Sequence, residues 1–160
     1  IAALLKKDAK LTLHLVGHTD GQGKLEANFD LSKRRAEAVV HQAILAAGSD
    51  RILELPMGMP FRPAIVKAGA DHLLFVVHPR QQDWCVTGIR QTEDGYAQRA
   101  DLPAAWAGLT GADLEAASGV QGASFCHNGR FIAAATSREA AVAMAEIAVR
   151  EALAEGKGTA

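Results

Sequence analysis

At 160 residues, with 49% hydrophobic and 22% charged residues, the chain can build one ordinary domain or two halves sharing a core. Its formal net charge of −1 argues against a general nucleic-acid surface, which needs clustered excess cations, so nucleic acid is not an expected partner. No apolar run reaches the length needed to cross a bilayer.

The chain begins at Ile1 without a methionine and carries no signal peptide, so it reads as a fragment or a processed product. Ile1, Leu4 and Leu5 share one face of what reads as a closing helical turn, and Lys6 and Lys7 suit a helix C-terminus. A strand follows over 10–16, where Leu11, Leu13 and Leu15 alternate with Thr12 and His14. It stops at a loop containing Gly17, Gly21 and Gly23. A helix restarts near Asp30 to Ser32 and is expected over 31–47, ended by Gly48. Ala36, Val40, Ala43, Ile44 and Ala47 make its apolar stripe, while Lys33, Glu37 and His41 take the solvated side. Lys33 and Glu37 are spaced to pair.

Beyond the helix, 51–56 reads as a strand, and 57–63 as a turn into a short helix ending near Gly69. A buried strand over 72–78 is closed by Pro79, and a short connection leads to another over 84–91. Segments 102–109 and 110–118 read as short helical pieces. Strands over 122–127 and 130–135 are joined by Asn128-Gly129, the strongest short hairpin signal in the chain. Thr136-Ser137-Arg138-Glu139 offers a capping box, an alanine-rich helix follows to about Leu153, and 156–160 is a tail. These elements imply an α/β fold: a layered mixed sheet with packed helices around one shared core. An uncovered sheet edge would favour homo-oligomers.

Two resemblances carry the functional expectations. Gly17-His18-Thr19-Asp20, then Asn28, Leu31-Ser32, Arg35-Ala36 and Val39, resembles the peptidoglycan-binding domain of the OmpA family. The resemblance implies a site for the diaminopimelate of a peptidoglycan peptide stem. Asp20 would meet its ammonium, Arg35 its carboxylate through a guanidinium fork, and Asn28 and Thr19 would add polar contacts. It covers about 1–40 and lacks the strand that precedes the family's first helix and the arginine-rich strand that ends its sheet.

From about 41 to 155 the chain resembles the C-terminal part of the MYG1 (UPF0160) family, relatives of DHH phosphoesterases that act as exonucleases. The matching segments include Phe75-Val76-Val77-His78-Pro79, Leu102-Pro103-Ala104-Ala105-Trp106 and Phe125-Cys126-His127-Asn128-Gly129-Arg130. The family's Asp and His clusters for metal-dependent catalysis lie N-terminal to this region. Asp71-His72 echoes a metal-ligand pair, yet neighbours in a strand point to opposite faces, so no metal site is expected. No cofactor is expected either. Cys85 and Cys126 read as reduced core thiols, Trp84 and Trp106 as core anchors, and Arg62, Arg90 and Arg99 as solvated or paired without clustering.

His127 and Arg130 flank the hairpin tip and are the candidates for contacting an anionic substrate. The leading expectation is a non-enzymatic module with a partial peptidoglycan site fused to a MYG1-like domain. Its rival is an accessory substrate-binding domain of a MYG1-type phosphoesterase without its catalytic part, and a third reading is a folded chimera without selected activity. The first belongs to a periplasm, the second to the cytoplasm or an organelle.

Overall fold

The computed structural model describes residues 25–92 and 94–157, with 25–29 by backbone alone. In chain order the elements are α1 (Leu25–Ala47), β1 (Ile52–Glu54), α2 (Arg62–Lys67), β2 (Phe75–Pro79) and β3 (Trp84–Gly88). A 3-10 turn (Ala104–Trp106), α3 (Gly111–Ser118), β4 (Ala123–Cys126), β5 (Ile132–Ala135) and α4 (Arg138–Ala154) complete it. The strands form one five-stranded sheet in the order β1-β2-β3-β5-β4. β1 runs parallel to β2, and the other neighbours are antiparallel, so the sheet is mixed as the alternation of elements implies.

Side-chain alternation sends successive strand residues to two different cores. Phe75, Val77, Val86, Ala133 and Ala135 pack with Met144, Ala145 and Ala148 of α4, joined by Trp106 and Leu114. Leu53, Val76 and Ile89 pack on the other face with Val40 and Ile44 of α1 and Ile65 of α2. The result is a three-layer α/β arrangement. The alanine face of α4 allows its close approach to the sheet. Trp106 is buried, and Trp84 sits half-buried at the border of the first core.

Several boundaries differ from the sequence reading for local reasons. α1 begins at Leu25, upstream of the expected Leu31, and Gly48 ends it with φ +59. Along α1, Asp30 pairs with Arg34 at 2.6 Å, and Glu37 turns to Lys67 of α2 at 3.8 Å in place of Lys33. β2 begins only at Phe75, where the amides of Leu74 and Phe75 both donate to the carbonyl of Arg51, the residue just before β1, and so open the parallel pairing of the two strands. β3 stops at Gly88, where segment 97–102 takes over the pairing: Arg99 N–H donates to Ile89 O at 2.7 Å and Leu102 N–H to Arg130 O at 2.8 Å. The outer edge of β4 is met by Leu109 and Thr110, leaving the three-residue β1 as the open edge among the described residues. Both cysteines are buried free thiols.

Candidate functional site

The β4–β5 hairpin forms where Asn128-Gly129 marks it, with a turn of a different kind from the simple two-residue one. Arg130 N–H donates to His127 O at 2.9 Å, and His127 N–H to Ile132 O at 2.9 Å. The residue with left-handed backbone is Arg130, at φ +56, in place of a glycine. That conformation costs an arginine roughly 1 kcal/mol or more. It is offset by what the residue reaches: its guanidinium donates to Asp101 at 3.3 Å and to the Leu102 carbonyl at 3.4 Å, while its own carbonyl takes Leu102 N–H. Arg130 therefore pins the hairpin to segment 101–102.

His127 has a different role. Its Nδ1 accepts from Gly129 N–H at 2.9 Å, so in the neutral ring the proton sits on Nε2. The ring lies 4.4 Å from that of Phe131 and 6.3 Å, edge-on, from that of Phe125. Phe125 and Phe131 are 38% and 39% exposed. The tip thus presents an oriented imidazole donor between two accessible aromatic rings. The structure joins His127 to these rings and directs the donors of Arg130 toward Asp101, a division the sequence does not display.

The strand register gathers further cations at the same end of the sheet. Arg51 precedes β1, Arg90 follows β3 and Arg130 precedes β5; Arg99 lies on the bridging segment. Arg99 is spent on structure: it donates to the carbonyls of Ala70 at 2.8 Å and Leu73 at 3.0 Å and to Asp71 at 3.0 Å. Arg62 and Arg90 correct the expectation of unclustered arginines. They are neighbours, and burial followed by the Arg90 charge lowers Arg62 below the ordinary arginine range. Their Nε atoms are buried without a hydrogen-bond partner.

The described residues do not fit a metal. Among the described residues no three His, Cys, Asp or Glu side chains converge as a site would require. Asp71 is taken by Arg99, and the buried His72 Nε2 has no partner. Of the OmpA-like set, Thr19 and Asp20 lie outside the described residues, Asn28 is described by backbone only within α1, and Arg35 is exposed on α1. No described helix is long and apolar enough to cross a membrane.

Comparison with known proteins places the chain. The MYG1 exonuclease family model, described as an uncharacterised protein family (UPF0160), matches residues 24–149, which takes in all of α1 and most of α4. The MYG1 protein of Chlamydia pneumoniae is 41% identical over 66 residues, covering 41% of this chain and 23% of that protein. The MYG1 protein of Chlamydia muridarum is 41% identical over 73 residues, covering 44% of this chain and 25% of that protein. The matched part thus spans about a quarter of the length of these curated relatives. No solved structure matches. None of these comparisons supports an OmpA-like part. They also correct the expectation of a non-enzymatic module, because the matching family carries an exonuclease designation. With its five strands, the hairpin, all of α1 and most of α4 inside one continuous match, the chain belongs to the MYG1 (UPF0160) family.

Proposed function

We propose that this domain serves a MYG1-type phosphoesterase by contacting the phosphate-bearing end of its substrate through the β4–β5 hairpin. The observation that carries the reading is the fixed tautomer of His127: Gly129 N–H holds Nδ1 as an acceptor, and Nε2 is left as the donor of an exposed ring. A donor set between two aromatic rings suits a sugar-phosphate with an unstacked base, since bases stack on aromatic faces whatever their sequence. The net charge of −1 disfavours tracking a long polyanion and is compatible with one local contact. Arg130 acts here as a positioning residue, because its guanidinium ties the tip to Asp101 and Leu102.

Metal chemistry is what the DHH resemblance implies for the whole enzyme. The described residues supply no donor set for it, so no hydrolytic step is assigned to them. Their part is to bind and orient.

Fluorescence anisotropy with a labelled single-stranded hexanucleotide tests this reading. Saturable binding weakened about tenfold or more in His127→Ala, and less in His127→Gln, which retains a donor, is the expected result. Equal binding by the parent chain and both variants would refute the hairpin contact.

A further inference from the structure

Away from the hairpin, Arg90 lies beside both Arg62 and Tyr96. Arg80, Arg99, Arg130 and Arg138 each meet a carboxylate, on Asp83, Asp71, Asp101 and Glu54 respectively. Arg62 and Arg90 meet none among the described residues. Arg62 opens α2 and lies 5.9 Å over the Phe61 ring; Arg90 follows β3 and lies 5.2 Å over the Tyr96 ring. Both guanidinium groups keep a buried, unpaired Nε, and the nearby Gln98 Oε1 is likewise buried and unpaired.

Two neighbouring cations, part-buried and short of acceptors, oppose folding as they stand. An oxyanion offsets both costs, by neutralising the repulsion and by accepting from the two forks once the side chains turn their Nε–H edges to it. Burial, and then the charge of Arg90, already disfavours the protonated form of Arg62, which is the environment a bound anion would reverse. Tyr96 adds a second element of recognition. It is 85% exposed, and Arg90 occupies only one face of its ring. The other face is available to a planar base.

We propose that Arg62, Arg90 and Tyr96 bind a nucleoside phosphate, with the phosphate between the guanidinium groups and the base on the tyrosine. Tyr96 is the single tyrosine of the chain, which gives the site its own spectroscopic reporter. It is also distinct from the hairpin pair, because neither His127 nor Arg130 contributes to it.

The test is titration of the chain with adenosine monophosphate and, separately, inorganic phosphate, following the arginine Nε–H resonances and the Tyr96 ring by NMR. Saturable shifts at Arg62, Arg90 and Tyr96 are expected with the nucleotide. Arg62→Gln and Arg90→Gln should each weaken it by roughly tenfold or more. Arg62→Lys, which keeps the charge and loses the fork, should fall between parent and Arg62→Gln. Tyr96→Ala should weaken the nucleotide and leave phosphate unchanged. Absence of saturable shifts up to about 10 mM ligand, or equal affinity in the arginine variants, would overturn the site. Equal losses of both ligands in Tyr96→Ala would overturn the stacking role. Nucleotide that moves the His127 ring and neither arginine would overturn this site and leave the hairpin reading standing.

Discussion

Gly129 donates its backbone N–H to Nδ1 of His127 at 2.9 Å, two residues back along the hairpin turn. One short hydrogen bond thereby fixes the tautomer of an exposed imidazole and holds it against Phe131. A Cβ added at Gly129 would sit 3.2 Å from that Nδ1 and 3.2 Å from the Phe131 ring. Both neighbours are exposed and free to give way. Gly129→Ala should therefore cost less than about 1 kcal/mol in denaturant unfolding yet shift the His127 and Phe131 ring resonances. Loss of the fold in that variant would mean the turn depends on the glycine itself.

Arg99 should be among the costliest polar side chains to remove. It is 11% exposed in its side chain and satisfies two carbonyls from the turn before β2. Arg99→Ala takes a donor from each carbonyl, and that of Ala70 keeps only the longer bond from Leu73 N–H at 3.3 Å, so the loss should cost about 2 kcal/mol or more. Asp71→Asn should cost under about 1 kcal/mol, because Asp71 is largely exposed and its pair is solvent-screened. Chemical denaturation of the two variants reads the difference, and equal costs would place the value of Arg99 in the ion pair.

Ser137 caps α4 by accepting from Ala140 N–H at 3.1 Å. Ser137→Ala should lower stability by about 1 kcal/mol, and Ser137→Asp should keep it, since a carboxylate accepts the same bond and suits the helix N-terminus. Thermal unfolding of the pair checks this.

The buried thiols give a pH dependence with a defined sign. Burial raises Cys126 from the ordinary thiol value to about 11, and burial likewise raises Cys85, whose Sγ lies 3.2 Å from the Thr87 hydroxyl. A group raised on folding stabilises fully below its unfolded value and loses that contribution as pH climbs to the folded one. Stability should therefore fall between about pH 9 and pH 11 and fall less in Cys126→Ala, once that variant's lower baseline is subtracted. Native chain at pH 8 should resist iodoacetamide and react after unfolding.

Features set by neighbours in the sequence were legible there. Asn128-Gly129 marks the hairpin, Thr136-Ser137 the start of α4 with the cap falling one residue later than a box on Thr136 and Glu139 implies, Gly48 the end of α1, and the alternation through Phe75, Val76 and Val77 the two-faced sheet. What depended on long-range register was hidden. The parallel pairing of β1 with β2 and the insertion of segment 97–102 beside β3 follow from packing across the chain. So do the attachment of Arg99 to a turn 26 residues upstream and the meeting of Arg62 with Arg90. Local pattern carries no term for such contacts. The hairpin histidine was visible as a candidate, but its separation from Arg130 was not, because Arg130 takes a left-handed backbone that arginine rarely adopts.

The most direct measurement is the titration of the His127 ring resonances with a short single-stranded oligonucleotide, in the parent chain and in Phe131→Ala. Saturable shifts centred on Hε1 and Hδ2 of His127, weakened when the Phe131 ring is removed, are the predicted result. Ring resonances that stay fixed while the oligonucleotide binds elsewhere would contradict the hairpin as the substrate contact.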